Sequence, residues 1–170
     1  MNIYFAEILI HVNRSLAPLG ADQFYATVNA GFYNNSALFR VVPGFVIQWG
    51  ISGSKAENEQ WLHKSIKDDP VVGSNTMATL TYADAGPNTR STQLFVNLGD
   101  NSKLDGEGFA PFGVMDAMSL QTFSKAFNPT PSSSGGVDQN EYEMKGNDWI
   151  KQTYPGIDFI NGAYVKTASN

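Results

Sequence analysis

Apolar and polar residues alternate along several short stretches of this 170-residue chain, a pattern typical of β-strands with one buried face. The first stretch covers residues 4–12, where Tyr4, Ile8 and Val12 belong to an apolar face and the opposite face is mixed. Further strands are predicted at residues 39–49, 77–82, 93–98, 112–115 and 159–165. The chain is therefore expected to be mainly β, with short strands.

Apolar residues recur at helical spacing elsewhere in the chain. Helices are predicted at residues 21–30, 117–126 and 141–154, the last broken at Gly146. Residues 51–71 are polar and irregular, which indicates a long connection, and residues 129–136 form a Pro/Ser/Gly surface loop. Many short strands with two or three helices favour a closed antiparallel barrel capped by helices. The length suits a single domain over residues 1–170.

The segment at residues 39–49 places an arginine and a glutamine among large apolar residues. Two-residue alternation puts Arg40, Val42, Val46 and Gln48 on one face, provided that Pro43-Gly44 keeps the phase. An isolated guanidinium on an apolar face costs several kcal/mol unless a partner compensates it. Arg40 is therefore either neutralised by a structural carboxylate or exposed to a groove that binds a ligand. A second cluster of motifs downstream favours the groove.

Four motifs occur in order: F-R-V-V-P-G-F-x-x-Q at residues 39–48, A-G-P-N-T at 85–89, Q-x-F at 93–95, and L-D-G…F-G at 104–113. With them the chain resembles the cyclophilin family of peptidyl-prolyl isomerases, in its variant with the motif G-F-A-P-F-G. The resemblance extends from about residue 10 to about residue 164. It implies an eight-stranded closed barrel with two main helices and a cofactor-free isomerase.

The implied chemistry is rotation about X-Pro peptide bonds, which amide resonance opposes with a barrier of ~18–20 kcal/mol. In the twisted transition state the proline nitrogen becomes pyramidal and regains a lone pair. A guanidinium donor directed at that nitrogen binds the transition state better than the planar ground state. This reaction requires no nucleophile, proton-transfer base, metal or cofactor.

The resemblance assigns roles to specific positions. Arg40 matches the catalytic arginine of the family, and Gln48 is expected to orient it. The positions that match the proline pocket and the extended peptide are Phe45, Val46, Ala83, Asp84, Ala85, Gln93, Phe95, Leu104 and Phe109. An apolar pocket would hold the pyrrolidine ring and exclude water, which strengthens the contact with Arg40.

Four positions depart from the usual family pattern. Asp84 stands where Asn is usual, Val46 where Met is common, and Lys103 where many members have a Trp that is associated with tight binding of cyclosporin-type inhibitors. Gly108 or Phe109 stands where the family has a pocket histidine, because one extra residue makes the alignment ambiguous there. These changes concern inhibitor sensitivity and peptide preference more than the reaction.

Composition argues against several other classes of function. The net charge is −5 and the 11 basic residues are scattered, whereas nucleic-acid binding requires clustered Lys or Arg. No apolar run approaches the ~20 residues that a membrane span requires. The chain has no cysteine, and His11 and His63 lack ligand spacing, so we expect no metal site. The composition leaves the cellular compartment open.

Two functions follow from these observations. The first is an active prolyl isomerase that acts on proline-containing peptides or unfolded proteins and assists folding. The alternative is a binding or assembly subunit of a larger complex, in which the groove is a docking surface with weak or no isomerase activity. Asp84 and Lys103 motivate the alternative because they change the edge of the groove.

Overall fold

The computed structural model describes residues 6–166, and the predicted strand residues before Ala6 lie outside this range. The strands are β1 (Ile10–Val12), β2 (Ser36–Ala37), β3 (Arg40–Val42), β4 (Val46–Trp49), β5 (Thr79–Tyr82), β6 (Leu94–Asn97), β7 (Pro111–Met115) and β8 (Phe159–Ile160). The α-helices are α1 (Pro18–Asn29), α2 (Lys55–Leu62), α3 (Ala117–Phe123) and α4 (Gln139–Thr153), and a 3-10 helix spans Ser102–Glu107. The mainly β prediction is confirmed.

The strands form two antiparallel sheets, and within residues 6–166 they do not close into the predicted eight-stranded barrel. Six strands pair in the order β1-β7-β5-β6-β4-β3, while β2 pairs only with β8. The backbone next to the β3 edge is satisfied by other partners: the Ala37 N–H donates to the Tyr142 hydroxyl at 3.0 Å, and the Phe39 carbonyl accepts from the Val137 N–H at 3.0 Å. Because a helix side chain and an irregular segment occupy these positions, no further strand pairs there.

Residues 39–49 form a hairpin and not the single strand that the alternation predicts. β3 and β4 pair with Arg40 opposite Gln48 and Val42 opposite Val46, and the turn lies between them. Directly opposed residues of an antiparallel pair point to the same face. The predicted common face of these four residues is therefore confirmed, although a turn interrupts the strand.

The six-stranded sheet has an apolar inner face and a mixed outer face. On the inner face Ile47 opposes Val96, which in turn opposes Leu80; on the outer face Gln48 opposes Phe95. The inner face packs on α1 to form the main core, whose buried members include Phe32, Tyr33, Ile47, Leu80, Tyr82, Leu94, Val96 and Phe112. The outer face is left to form a separate surface, described below.

Helix α4 packs against residues in and next to β2 and forms with them a second apolar cluster. Its buried members are Ala37, Phe39, Ile51, Val137, Tyr142, Ile150 and Ile157. The predicted break at Gly146 is confirmed, with φ 67° and ψ −157° inside the helix. A Cβ at this position would collide with the carbonyl oxygen of Gly53, so the helix and the segment after β4 meet backbone to backbone.

The stretch at residues 51–71 does connect two strands, β4 and β5, but the prediction that it is irregular is wrong, because helix α2 lies inside it. Ser54 is its N-cap, and the Ser54 hydroxyl oxygen accepts from the Glu57 N–H at 3.5 Å. The Ser-x-x-Glu spacing of a capping box was the available signal. The low apolar content of α2 hid it, since only one face of the helix contacts the protein.

A buried ion pair fixes the start of α1, which has no side-chain cap of its own. The Asp69 carboxylate accepts from the N–H groups of Leu19 (3.0 Å) and Gly20 (2.8 Å). Both terminal nitrogens of Arg90 donate to the same carboxylate at 3.2 Å, and Arg90 Nε lies 3.3 Å from Asp68. Asp69 thus neutralises a buried guanidinium and also satisfies donors of the first helical turn.

Candidate functional site

Arg40 begins β3 on the outer face of the sheet, and its half-buried guanidinium has two fixed partners. Its Nε donates to the Ser134 carbonyl at 2.6 Å, and its Nη1 donates to Gln48 Oε1 at 2.9 Å. Burial lowers the pKa of Arg40, yet an arginine stays protonated in proteins. Within residues 6–166 Arg40 forms no salt bridge, and the buried structural arginine is Arg90 instead. The interpretation of Arg40 as carboxylate-neutralised is therefore wrong.

A chain of three glutamine amides continues from Arg40 across the surface. Gln48 Nε2 donates to Gln93 Oε1 at 2.8 Å, and Gln93 Nε2 donates to Gln139 Oε1 at 3.0 Å. Gln48 lies on β4, Gln93 directly precedes β6, and Gln139 is the first residue of α4. The structure thus joins the predicted Gln48 directly to Arg40 and the predicted Gln93 to it through Gln48, and it adds Gln139, which sequence analysis did not identify.

An apolar cluster adjoins Arg40 on the same outer face and is separate from the two cores. Its buried members are Val46, Phe95 and Leu104, and the partly buried Phe45, Ala83 and Phe109 pack against them. The Phe95 and Phe109 rings meet edge to face with centroids 5.8 Å apart. Six residues that the resemblance assigned to the peptide site are therefore in one cluster. We call it the outer apolar cluster.

Phe45 connects this cluster to two cations. The Arg40 guanidinium carbon lies 5.6 Å from the Phe45 ring centroid, and the Lys103 ammonium lies 5.6 Å from the same centroid. Both distances allow a cation–π attraction. Lys103 directly precedes Leu104 of the cluster, so its charge is held at the edge of the apolar surface.

Ala83, Asp84 and Ala85 lead from the cluster into an exposed loop. The Ala83 N–H donates to the Gln93 carbonyl at 3.0 Å, and the Ala85 N–H donates to the Thr89 hydroxyl at 2.8 Å. Asp84 Oδ1 accepts from the following Gly86 N–H at 3.1 Å. The backbone donors of both alanines are therefore already bound within the protein.

Buried polar side chains that sequence analysis missed support the cluster from below. Asn75 Nδ2 donates to the Phe109 carbonyl (2.8 Å) and to Asp105 Oδ1 (2.7 Å), and Asn101 Nδ2 donates to the Phe45 carbonyl (2.9 Å). Two members of the cluster are thereby fixed through their backbones. Asn97 is the residue that could have indicated this support from the sequence, because it is a polar residue inside an otherwise apolar strand. Its Oδ1 accepts a hydrogen bond from Asn101 Nδ2 at 2.8 Å.

Asp105 belongs to this support and has a perturbed acidity. Burial alone would raise the pKa of Asp105, but hydrogen bonds from the Ser74 hydroxyl and from the Asn75 backbone and side chain outweigh it. The net effect is a pKa below the ordinary value of an aspartate. The carboxylate is therefore the form that holds the 3-10 helix against Asn75.

Phe109, and not Gly108, contributes a side chain to the outer apolar cluster. Gly108 ends the 3-10 helix with a left-handed backbone (φ 97°), and Phe109 then turns back toward Phe95. In the described part of the chain, no three His, Cys, Asp or Glu side chains are grouped to hold a metal ion. The helices within residues 6–166 include none long and apolar enough to cross a membrane.

Comparison with known proteins assigns the chain to a family. Residues 1–141 match the family model described as cyclophilin type peptidyl-prolyl cis-trans isomerase. A peptidyl-prolyl cis-trans isomerase of Acinetobacter baylyi is 31% identical over 146 residues, which cover 82% of this chain and 76% of that protein. One of Schizosaccharomyces pombe is 32% identical over 104 residues, which cover 59% of this chain and 67% of that protein.

The fold is also similar to that of a solved structure. A cyclophilin type peptidyl-prolyl cis-trans isomerase of Cryptosporidium parvum, crystallised in the presence of the dipeptide Ala-Pro, superposes with a TM-score of 0.60 over 77% of this chain and 85% of that chain. The two sequences are 21% identical, so this likeness concerns the fold. The chain belongs to the cyclophilin-type peptidyl-prolyl cis-trans isomerases, an enzyme family, as the motifs predict.

Proposed function

We propose that this protein catalyses cis-trans isomerisation of X-Pro bonds in peptides or unfolded proteins, with Arg40 as the catalytic residue and Gln48 as the residue that orients it. The outer apolar cluster is the proposed pocket for the proline ring. Gln93 and the loop residues Ala83, Asp84 and Ala85 are the proposed contacts of the extended peptide.

The observation that carries this proposal is the position of an unneutralised guanidinium beside an isolated apolar surface. Arg40 is held by the Ser134 carbonyl and by Gln48, and it forms no salt bridge within residues 6–166. The guanidinium carries more N–H donors than these two bonds use, so donors remain for a substrate. Val46, Phe95 and Leu104 provide the neighbouring surface.

Catalysis in this arrangement requires only binding that is stronger in the transition state. The apolar cluster holds the pyrrolidine ring and excludes water from its surroundings. As the peptide bond twists, the proline nitrogen becomes pyramidal and its lone pair accepts a hydrogen bond from Arg40. This bond is absent in the planar ground state, so it lowers the barrier to rotation. No proton is transferred and no covalent bond is formed.

A protease-coupled assay on a short X-Pro peptide tests the proposal. Arg40→Ala is expected to lower kcat/KM by about 10²–10³-fold, the usual cost of removing one donor to a developing charge. Arg14→Ala is a matched control, because Arg14 is an exposed arginine that pairs with Asp22. Equal rates for the natural protein and Arg40→Ala would contradict the assignment.

A second candidate function is a binding or assembly subunit that uses the same surface for docking. It is motivated by the charged residues Asp84 and Lys103, of which Lys103 lies against the Phe45 ring at the edge of the cluster. Purification with a stoichiometric partner that protects Arg40 from solvent would support it. Rapid turnover by the isolated monomer would remove its basis.

A further inference from the structure

The segment between α3 and α4 runs along β3 and contacts Arg40 at a different nitrogen from the one that Gln48 binds. Its Ser134 carbonyl accepts from Arg40 Nε at 2.6 Å. Three residues later the Val137 N–H donates to the Phe39 carbonyl at 3.0 Å, which fixes the segment to the backbone beside Arg40. The segment therefore approaches both the guanidinium and the base of the Arg40 side chain.

Gly136 makes this close approach possible. It has a left-handed backbone with φ 80°, a conformation that residues other than glycine rarely adopt. A Cβ on Gly136 would lie 2.7 Å from Arg40 Cβ and 2.9 Å from the Phe39 carbonyl oxygen. Any side chain at this position would push the segment, and with it the Ser134 carbonyl, away from Arg40.

Gln139 acts on Arg40 through the direction of the amide chain. A guanidinium only donates hydrogen bonds, so Gln48 must present its oxygen to Arg40 and its NH₂ group to Gln93. Gln93 must then present its oxygen to Gln48 and its NH₂ group to Gln139, as the structure shows. An acceptor at position 139 therefore favours the one orientation of both amides that suits Arg40.

We propose that Ser134, Gly136 and Gln139 form a positioning clamp that holds the Arg40 guanidinium in its catalytic orientation; this inference rests on the proposed isomerase function. We call the three residues the Arg40 clamp. They are positioning residues, because they act on the substrate only through Arg40. The clamp fixes the guanidinium at two of its nitrogens, since the Ser134 carbonyl binds Nε directly and Gln139 orders Gln48, which binds Nη1.

Two neighbouring glycines provide a matched test. Gly136→Ala introduces the Cβ that collides with Arg40, whereas a Cβ at Gly135 would meet only the Ser133 hydroxyl at 3.5 Å. We expect Gly136→Ala to lower kcat/KM about 10- to 100-fold, since a misplacement of about 1 Å can cost as much. Gly135→Ala should leave it unchanged. Equal activity of the two variants, whether normal or reduced, would overturn the proposal.

Substitutions at Gln139 test the second arm of the clamp and remain informative if Gly136→Ala does not fold. Gln139→Leu removes the acceptor and should lower kcat about 2- to 10-fold with an unchanged peptide KM, as expected for one neutral hydrogen bond. Gln139→Glu keeps an acceptor and should restore kcat. A merely structural role would lower the melting temperature in both variants and would show no such rescue. If the kcat of Gln139→Leu equalled that of the natural protein, the proposed role of Gln139 in the clamp would be overturned.

An NMR measurement separates failure of the clamp from failure of the proposed function. In the natural protein the Nε–H signal of Arg40 should be shifted from that of solvent-exposed arginines and should exchange slowly with water. It should collapse toward the exposed arginines in Gly136→Ala but not in Gly135→Ala. If the natural protein has no isomerase activity but shows this difference, the clamp stands and the function is wrong. An Arg40 signal that is unaffected by Gly136→Ala would overturn the clamp.

Discussion

Replacing Asp69 with alanine removes the acceptor that holds together three parts of the molecule. Asp69 is a buried residue, 5% exposed, and its carboxylate binds N–H groups at the start of α1 together with the guanidinium of Arg90, a residue that is itself 2% exposed. In Asp69→Ala the two N–H groups lose their acceptor, and among residues 6–166 Arg90 retains only the partly exposed Asp68 as a charge partner. A buried charge without compensation is unfavourable, so we expect a large loss of stability.

The expected magnitude follows from the burial of the pair. Removing one partner of a buried ion pair costs about 3–5 kcal/mol. For a chain of this length each kcal/mol lowers Tm by about 2–4 °C, so Asp69→Ala should melt about 6–20 °C below the natural protein. Asp69→Asn keeps one acceptor oxygen and should lose less. Calorimetry or circular dichroism during heating measures both shifts.

The ion pair between Arg14 and Asp22 is the matched control. Its atoms are closer than those of the buried pair, 2.7 Å against 3.2 Å, but both side chains are more than half exposed. Exposed pairs contribute little because water and salt screen them. Asp22→Ala should therefore leave Tm unchanged. Equal shifts of Tm in Asp69→Ala and Asp22→Ala would show that burial does not decide how much an ion pair contributes to stability.

Two further predictions concern the surface around the outer apolar cluster. Asp105 has a folded-state pKa below its unfolded value, so its stabilising contribution is complete above the ordinary aspartate pKa and is lost as pH falls through the folded-state pKa. The free energy of unfolding, measured in urea at a series of acidic pH values, should therefore depend less on pH in Asp105→Asn than in the natural protein. Identical slopes of this free energy against pH in the two proteins would contradict the prediction. Lys103→Trp should tighten binding of a cyclosporin-type inhibitor about tenfold or more by calorimetric titration, because a tryptophan anchor is typically worth ~2 kcal/mol at an interface. An unchanged affinity would show that Lys103 does not limit inhibitor binding.

The arrangement around Arg40 could be predicted from sequence because it depends on local alternation. Gln48 follows Arg40 by eight positions, an even offset, so the two share a face whether the segment is one strand or a hairpin with this pairing. The motifs then added Phe95 and Leu104, which the structure places in the same cluster as Val46. The family assignment rests on the same motifs, and the comparisons confirm it.

Features that depend on distant contacts could not be predicted in this way. The Ser134 carbonyl is a backbone group, which any residue type would provide, so no sequence pattern indicates that it binds Arg40. The pairing of Asp69 with Arg90 and the support from Asn75 depend on loops that meet only after folding. The division into two sheets depends in the same way on the segment around Val137. The Val137 N–H donates to the Phe39 carbonyl and so takes the place that a neighbouring strand would have.

The contact between Gly53 and Gly146 has a consequence for protein engineering. A side chain at either position would displace its neighbour, because a Cβ on Gly146 would strike the Gly53 carbonyl and one on Gly53 would displace the Asn147 amide from its bonds to Asn35 and Tyr142. Grafting residues 142–166 onto the scaffold of a shorter relative would therefore require glycines at both corresponding sites. A glycine that matches Gly53, together with a Gly-Asn pair that matches Gly146-Asn147, is a criterion for finding homologues in which the helix that corresponds to α4 packs on the segment after β4 in this manner.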